Sequence, residues 1–409
     1  MANKVIVLLG GNILNEGLVK FKEKFGADTV VVVDWNENPS VKGDIFFKHD
    51  IKDSSAIIEK LESLGEIDLR FVYTSADLAV DSQRIIHKKY GFLCADEKAI
   101  NKTLHKNIMT EIWNENNLLN RIAVTILNEN ELNNIKRDCK LIVKPNLCSG
   151  SRGITVLNAN CNDEQLLKAY KRAIDVSWDD KVVIEEFIEG TEYTVEMIGD
   201  SYGNVEVECV SKKYHTNHTD NNKIAVKLHY NPNDVDDEEL ERIANYGREC
   251  YKALGLHTSL GHLELIVADD GRICPLEIGA RSSGYIASNC VDLVSGEIFL
   301  NKYADVIRGG KVENKSIFHT NKSSMLFFYD MPEGKIVNSG CVLDFTRPGI
   351  TSVSSNHSKI VAGNTFNKID GDNERIGFEI LAGNRDVLTI ENVIKAENDM
   401  NDFLYMNEK

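Results

Sequence analysis

The chain has 409 residues, enough for two or three domains, and its 42% hydrophobic and 27% charged residues are ordinary for a globular protein. The formal net charge of −16 argues against a non-specific nucleic-acid binder, because such proteins present basic surfaces. Since no apolar run approaches the ~18 residues of a transmembrane helix, and since the nine cysteines include no Cys-x-x-Cys pair, we expect a cytoplasmic protein with reduced thiols and no membrane partner.

The first 94 residues predict a small α/β domain. Three short apolar runs predict buried strands, at residues 4–9, 29–34 and 70–74. Helices are predicted between them, at residues 17–25 and 54–64. This alternation indicates a parallel sheet. The turn after the first strand reads Gly-Gly-Asn and lacks the Gly-x-Gly-x-x-Gly spacing of a dinucleotide site, so we exclude an NAD-binding function.

A lysine and a glycine-bearing loop follow a predicted helix. Residues 95–116 predict one long helix, and residues 141–145 predict an apolar strand that contains Lys144. The loop at residues 146–153 reads NLCSGSRG. Glycines let such a loop bring backbone N–H groups close to phosphate oxygens, and Lys144 can add a positive charge there. The loop is not a Walker A motif, because it has no Gly-Lys-Ser or Gly-Lys-Thr.

The middle of the chain predicts more strands and one helix. Residues 181–198 predict strand, turn and strand, and residues 206–213 predict a further strand that ends in two lysines. Either lysine can reach a phosphate or a substrate carboxylate; Lys212 is taken as the candidate and Lys213 stays open as the alternative. Residues 234–254 predict an amphipathic helix whose acidic first turn suits the helix dipole.

The most informative stretch is residues 261–284, GHLELIVADDGRICPLEIGARSSG. Two strand-like runs flank Asp-Asp-Gly, which predicts a β-hairpin. Glu264 lies in the first run and Glu277 in the second, so antiparallel pairing can direct both carboxylates to one face, where hard oxygen ligands suit Mg²⁺ under phosphate oxygens. Arg281 follows, and its guanidinium can form two hydrogen bonds with a phosphate or a carboxylate.

Taken in order, these motifs over residues 100–284 resemble the ATP-grasp family. The resemblance rests on the Lys-Pro-x-x-x-x-Ser-x-Gly loop that begins at Lys144, and on a Glu-x-x-x-Arg segment formed by Glu277 and Arg281 after the earlier Glu264. It implies an α/β fold (α+β in the ATP-grasp part). The implied domains are an N-terminal parallel-sheet α/β domain at 1–94, a two-lobed ATP-grasp domain with a lid lobe at 95–192 and a catalytic lobe at 193–320, and a β-rich C-terminal extension at 321–409.

The resemblance also implies ligands and site residues. ATP is the expected nucleotide, and Mg²⁺, with Mn²⁺ as an alternative, is expected on Glu264 and Glu277. By its position in the helix Lys106 is the phosphate contact, with Lys102 as the alternative. Residues 185–188 are the implied adenine hinge, and Glu192 is the implied ribose contact. The full nucleotide-binding set is Lys106, Lys144, Gly150, Ser151, Gly153, Glu185, Glu186, Phe187, Ile188, Glu192 and Leu276.

Two positions depart from the family pattern, and one of them favours a subgroup of the family. The aspartate usual before the helix lysine is His105, and the asparagine frequent between the metal glutamate and the arginine is Gly279. Some ATP-grasp ligases that join amino acids have a small residue there. We therefore expect an ATP-dependent carboxylate–amine ligase, similar to L-amino-acid ligases, that forms an amide through an acyl-phosphate and releases ADP and phosphate. Its candidate catalytic residues are Arg281 and Lys212.

Two other functions stay open, an ATP-grasp carboxylase that activates bicarbonate and a non-catalytic nucleotide-binding regulator. The ligase reading implies a small-molecule carboxylate and an amine as partners, no nucleic acid, and a homodimer as one oligomeric state. In this family the N-terminal domain often helps to bind the substrate, so residues 74–77 at a strand end are the candidate contact there. Strands at 324–328 and 343–345 and a helix at 386–404 are expected in the C-terminal extension.

Overall fold

The computed structural model describes residues 2–11, 17–148, 150, 152–216, 224–284, 287–296, 298–316, 320–338, 349–367 and 375–405. The strands in these ranges are β1 Asn3–Leu9, β2 Thr29–Asp34, β3 Ile45–Lys48, β4 Ile67–Tyr73, β5 Ala123–Ile126, β6 Leu141–Pro145, β7 Thr155–Leu157, β8 Val182–Glu186, β9 Gly190–Gly199, β10 Val205–His215, β11 Ala225–Tyr230, β12 Ser259–Ala268, β13 Ile273–Gly279, β14 Lys322–Phe328, β15 Gly334–Lys335, β16 Ile350–Asn356, β17 Thr365–Phe366 and β18 Phe378–Asn384. The helices are α1 Gly17–Phe25, α2 Ser54–Glu62, α3 Val80–Lys89, α4 Glu97–Lys102, α5 Lys106–Glu115, α6 Asp163–Ile174, α7 Asp237–Ala253, α8 Ser288–Ser295, α9 Phe299–Val306 and α10 Ile390–Tyr405.

The N-terminal sheet is parallel throughout, with the strand order β3–β2–β1–β4. Its central strands are apolar at nearly every position because both faces are covered. One face packs against α2 and α3, and the other packs against α8 and α9 from the later part of the chain. The predicted parallel α/β domain is confirmed. The sequence did not predict β3, whose four residues are too few to show a periodic pattern.

The helix predicted over residues 95–116 is wrong in one respect, because the structure has two helices there, α4 and α5. The hydroxyl of Thr103 donates to the carbonyl three residues earlier (2.7 Å), and the chain turns before Lys106 begins α5. At that new N terminus the side-chain oxygen of Asn146 accepts a hydrogen bond from the backbone N–H of Asn107 (2.8 Å). The break therefore ties α5 to the loop after β6.

Two antiparallel sheets carry the candidate site. The smaller has the order β5–β8–β6–β7 and packs against α6. The larger has the order β13–β12–β9–β10–β11–β14–β18–β16. Helix α7 covers one of its faces, and α8 and α9 cover part of the other. The first sheet therefore shares a core with the large sheet through α8 and α9, which brings the N-terminal domain against the site.

The C-terminal segment is built into the large sheet. Strand β14 pairs with β11, and β18 lies between β14 and β16. Helix α10 packs against the buried side chains of β14 and β18. The strand and helix predicted at 324–328 and 386–404 are confirmed as β14 and α10, while the strand predicted at 343–345 lies outside the described residues.

The described helices are all too short or too polar to cross a lipid bilayer. The cysteines in the described ranges form no disulfide bonds.

A close contact between α7 and the large sheet generates a stability prediction. Tyr251 of α7 is fully buried, and a Cβ atom placed on Gly261 of β12 would lie 2.7 Å from its Cδ2 atom. The Gly261→Ala variant should therefore lose about 1–3 kcal/mol of unfolding free energy through overpacking. Urea denaturation measures this. Gly284→Ala is the control, because a Cβ there meets no atom within 4 Å. Equal stability of both variants and the wild type would contradict the packing argument.

Candidate active site

Strand register brings four glutamates to one face of the large sheet. The predicted hairpin is confirmed, with Gly271 at a positive φ of 85° in its turn, and Glu264 of β12 lies directly opposite Glu277 of β13. On its other side β12 pairs with β9. Because alternate side chains of a strand share a face, Glu192 and Glu196 of β9 point the same way as Glu264. Four carboxylates this close repel one another, so the site requires cations.

Lys213 of β10 neutralises two of these carboxylates. Its Nζ lies 2.6 Å from Glu192 Oε1 and 2.8 Å from Glu264 Oε1. His215 Nε2 lies 2.9 Å from the other oxygen of Glu192. Burial alone would lower the pKa of Lys213, but the two carboxylates raise it above its ordinary value. Burial likewise would raise the pKa of Glu264, but Lys213 holds it well below the ordinary value. The lysine is therefore an ammonium and the glutamate a carboxylate at neutral pH.

Lys212, the sequence-based candidate, does not join this cluster. Neighbouring side chains of a strand point to opposite faces, so Lys212 lies on the other face of β10 from Lys213. There its Nζ lies 5.4 Å from the ring centroid of Tyr214. The structure therefore brings Lys213, and not Lys212, to these glutamates, because strand alternation admits only one of two adjacent lysines to this face. The catalytic role of either lysine stays a prediction.

Lys106 approaches the second glutamate of the hairpin. Its Nζ lies 2.9 Å from Glu277 Oε2, and it stands in the first turn of α5. Burial alone would lower the pKa of Lys106, but Glu277 and also Asp77 raise it above its ordinary value. Lys102, the alternative, donates to the carbonyl of Leu254 (3.0 Å). The structure therefore brings Lys106, and not Lys102, to the candidate metal ligands.

Lys144 belongs to a buried ion pair inside the smaller sheet. Its Nζ lies 2.7 Å from Glu185 Oε2, and the Nε of Arg121 lies 3.1 Å from the same oxygen. Burial by itself would raise the pKa of Glu185, but Lys144 and Arg121 hold it at about 2. Burial lowers the pKa of Lys144, against the opposing effect of Glu185. The sequence analysis missed Arg121, because the arginine lies 64 residues from Glu185 in the chain.

The segment implied as the adenine hinge lies at the end of β8. The backbone N–H groups of Glu186 and Phe187 donate to carbonyls of neighbouring segments (2.9 Å each). Ile188 is buried, and Leu276 of β13 is half-buried. Because those two N–H groups are bonded within the protein, any purine contact at this segment has to use its other backbone groups. The hinge role itself stays a prediction.

Two glycines of the loop after β6 adopt the left-handed backbone conformation that glycine favours. Gly150 and Gly153 both have positive φ, 71° and 73°. A Cβ on Gly153 would lie 2.5 Å from Val176 Cγ2. Both the positive φ and this close packing therefore favour glycine at position 153. The predicted Ser151 lies outside the described residues. The phosphate role of this loop stays a prediction.

Arg281 is held by the N-terminal domain. Its Nε lies 2.6 Å from Asp77 Oδ1 and its Nη2 lies 2.8 Å from Asp77 Oδ2, a two-point ion pair. Tyr73 Oη lies 2.9 Å from the hydroxyl of Ser282 beside it. Burial alone would lower the pKa of Arg281, but Asp77 raises it. Asp77, one of the residues 74–77 expected from the resemblance to touch substrate, thus lies at the site, although sequence alone gave no sign of a pair that spans 204 positions.

His262 and Glu196 form a buried pair behind the glutamates. His262 Nδ1 lies 2.6 Å from Glu196 Oε1, and its Nε2 lies 3.4 Å from Glu264 Oε1. Burial alone would lower the pKa of His262, but Glu196 and Glu264 raise it to about 9. The imidazolium therefore neutralises Glu196 and orients Glu264. Sequence analysis missed both residues, although the spacing of His262 and Glu264 along one strand was a usable sign of a shared face.

The two hairpin glutamates suit Mg²⁺ in chemistry and number. Among the described residues no group of three or more His, Cys, Asp and Glu side chains forms a metal cluster. Mg²⁺ commonly takes one or two protein carboxylates and completes its shell with water and substrate phosphates. Glu264 and Glu277 supply two carboxylates with hard oxygen atoms, from the neighbouring paired strands β12 and β13. The arrangement therefore fits a metal that arrives with a nucleotide.

One segment of the chain matches a known protein family. Residues 138–290 match the family model for the ATP-grasp domain. This segment is an ATP-grasp domain. It contains the lysine strand β6, the glutamate hairpin and Arg281, whereas Lys106 and Asp77 come from outside it. A comparison with curated protein sequences found no match.

Several solved structures share the ATP-grasp fold with this chain. An L-amino acid ligase from Bacillus licheniformis is 17% identical, with 100% of both chains covered and a TM-score of 0.75. Phosphoribosylglycinamide synthetase from Anaerococcus prevotii is 18% identical, with 100% of both chains covered and a TM-score of 0.65. The biotin carboxylase domain of Hydrogenobacter thermophilus 2-oxoglutarate carboxylase, in complex with MgADP and bicarbonate, is 15% identical, covering 94% of this chain and 86% of that chain, with a TM-score of 0.67. At these identities the likeness shows the fold and no particular reaction.

The buried ion pair generates a stability prediction for this ATP-grasp domain. Glu185→Gln leaves Lys144 and Arg121 without their counter-ion, so we expect a loss of about 3–5 kcal/mol in unfolding free energy. Because Glu185 has a pKa depressed from 4.5 to about 2, its stabilisation is full above pH 4.5 and is lost as the pH falls toward 2. Urea denaturation of the wild type and of Glu185→Gln at pH 7 and at pH 3, inside the interval between 4.5 and about 2, measures both effects.

The control for this prediction is Glu189→Gln. Glu189 pairs with Lys140 at the surface, with about half of each side chain exposed, so its loss should cost less than about 1 kcal/mol. Equal losses in the two variants would refute a special role of the buried pair.

Proposed function

We propose that this protein is an ATP-dependent carboxylate–amine ligase that activates an amino acid as an acyl-phosphate and joins it to an amine. The observation that carries the proposal is the Glu264–Glu277 cross-strand pair, in which Lys106 of α5 contacts Glu277 and Lys213 of β10 contacts Glu264. Arg281 follows two residues after β13 and is held by Asp77. The ATP-grasp domain and the fold shared with an L-amino acid ligase support it.

The nucleotide end of the site follows from the lysines and the glycine loop. Mg²⁺, when bound to Glu264 and Glu277, would neutralise phosphate oxygens of ATP. Lys106 and Lys213 contact these glutamates in the structure, and with Mg²⁺ bound they would turn to the phosphate oxygens instead. Lys144 would add positive charge near the glycine loop. The site thereby gathers its positive charge locally, in a chain whose net charge is −16.

Where the substrate carboxylate meets the γ-phosphate, the reaction needs stabilisation of negative charge more than it needs a nucleophilic side chain. A carboxylate oxygen of the substrate attacks the γ-phosphorus while the bond from that phosphorus to the bridging oxygen breaks, and ADP leaves. Arg281 would hold the carboxylate and the transferring phosphoryl group, which are both anionic. The amine then attacks the acyl carbon, inorganic phosphate leaves, and the amine proton passes to solvent or phosphate. Positioning supplies most of such catalysis, so a Ser-His-Asp triad is not required.

The decisive test measures Mg²⁺-dependent phosphate release from ATP with pooled L-amino acids, beside wells with bicarbonate or no substrate. Release that requires amino acids is the expected result. Release that requires bicarbonate would move the assignment to a carboxylase, and ATP binding without release in any well would favour a regulator.

Glu277→Gln should reduce this release to the level of the blank while the fold stays intact, because Glu277 is 39% exposed on the edge strand β13. Asp269→Asn in the exposed turn of the same hairpin is the matched control and should keep wild-type activity. Normal activity of Glu277→Gln, with folding verified by circular dichroism, would rule out its place among the metal ligands.

Adjacent lysines provide an internal comparison for the catalytic role. Lys213→Met should lower kcat/KM by about 100-fold, as expected for loss of one preorganised charge at the phosphates. Lys212→Met should stay near the wild-type value, because its side chain lies on the opposite face of β10. Steady-state phosphate release measures both variants. A larger loss in Lys212→Met than in Lys213→Met would contradict the assignment.

A further inference from the structure

The Asp77–Arg281 ion pair lies at the border between the N-terminal domain and the ATP-grasp domain. Asp77 stands just beyond the carboxyl end of β4, the edge where parallel sheets place their ligand contacts. Its side chain is 31% exposed, whereas Arg281 is 14% exposed. The carboxylate is therefore within reach of a small molecule that enters beside Arg281.

Gly279 makes this approach feasible. A Cβ atom at position 279 would lie 3.0 Å from Asp77 Oδ1 and 3.2 Å from Arg281 Cγ. Any larger side chain would therefore crowd the ion pair. Gly279, which departs from the family pattern, thus leaves the space that the Asp77 carboxylate occupies.

Ligand binding at the hairpin glutamates and at Arg281 would change the partners of the charges that meet there. A metal ion on Glu264 and Glu277 would take both of them from Lys213 and Lys106, whose charges then pass to phosphate oxygens. A substrate carboxylate bound to Arg281 would displace Asp77 in the same way. Asp77 then needs a cation of its own, because an unpaired carboxylate in a partly buried site is costly.

We propose that Asp77 is a specificity-determining residue that binds the ammonium group of a zwitterionic substrate, while Arg281 binds the carboxylate of the same molecule. This inference rests on the ligase function proposed above. An α-amino acid carries its two charges one carbon apart, so one molecule can reach both members of an ion pair whose groups are in contact. Bicarbonate or a simple carboxylic acid satisfies Arg281 and leaves Asp77 without a partner.

The same contact would protect the activated amino acid from attack by its own amine. An ammonium held on Asp77 stays protonated and is not nucleophilic. The amine that attacks the acyl carbon then comes from the second substrate. Asp77 is accordingly a binding residue and takes no part in bond making.

The test compares binding of L-amino acids with binding of their des-amino acids. Pools of L-amino acids are screened by thermal shift with Mg²⁺ and a non-hydrolysable ATP analogue, and each hit is matched to its des-amino acid, for example propionate for alanine. Titration calorimetry then measures both ligands on the wild type, Asp77→Asn and Asp81→Asn. Asp81 is the matched control, because it pairs with Arg84 (2.7 Å) on the same segment. Phosphate release is recorded in parallel.

The expected result is a wild-type preference for the amino acid of about tenfold or more, the size of one charge-assisted hydrogen bond. Asp77→Asn should lose that preference, and Asp81→Asn should keep it. A preference that persists in Asp77→Asn, equal wild-type affinity for both ligands, or no wild-type binding of any amino acid would overturn the proposal. Because the two ligands are compared within one variant, a general loss of stability does not imitate the effect.

The two proposals fail in different ways. Loss of preference in Asp77→Asn without amino-acid-dependent phosphate release in the wild type supports the ammonium site and refutes the ligase. Amino-acid-dependent release with the preference kept in Asp77→Asn supports the ligase and refutes the ammonium site.

Discussion

Electrostatic repulsion among four glutamates on one sheet face is the constraint that the rest of the site satisfies. Glu192, Glu196, Glu264 and Glu277 are directed to that face by strand register. Removing carboxylates from water is costly unless each meets a cation. The cations come from separate elements, namely β10, β12 and the first turn of α5. The strand order brings Lys213 to these carboxylates, and the break between α4 and α5 brings Lys106 to them. Both features therefore help to neutralise the same cluster of negative charge.

Burial divides the ion pairs of the site into two kinds. The pair of Lys144 and Glu185 is almost inaccessible, with side chains 6% and 1% exposed, and it joins strands of one sheet. Glu277 and Asp77 are 39% and 31% exposed. A deeply buried ion pair keeps its two strands in a fixed relative position, because neither partner can be solvated when the pair separates. The pairs that contain these partly exposed carboxylates can exchange partners with a ligand at lower cost, because water or the ligand can solvate the carboxylate when the pair separates.

Three segments of the chain build the candidate site together. The ATP-grasp segment supplies the hairpin, Lys213 and Arg281, the preceding helix supplies Lys106, and the N-terminal domain supplies Asp77. The shared core between the first sheet and α8 and α9 keeps that domain in place. The C-terminal strands extend the large sheet on the side away from the hairpin. Substrate selection is therefore expected where the domains meet, and nucleotide chemistry within the ATP-grasp domain.

Sequence alone determined the parts of this protein that depend on local patterns. Apolar runs located β1, β2, β6 and β9, the Asp-Asp-Gly turn predicted the hairpin, and side-chain alternation implied that Glu264 and Glu277 share a face. Only the tertiary structure decided which cation meets which carboxylate. It selected Lys213 over Lys212 and Lys106 over Lys102, and it brought Arg121 to Glu185 and Asp77 to Arg281 across 64 and 204 positions. The physical reason is that periodicity and turn chemistry act over a few residues, whereas an ion pair forms between any two charges that packing brings within contact distance.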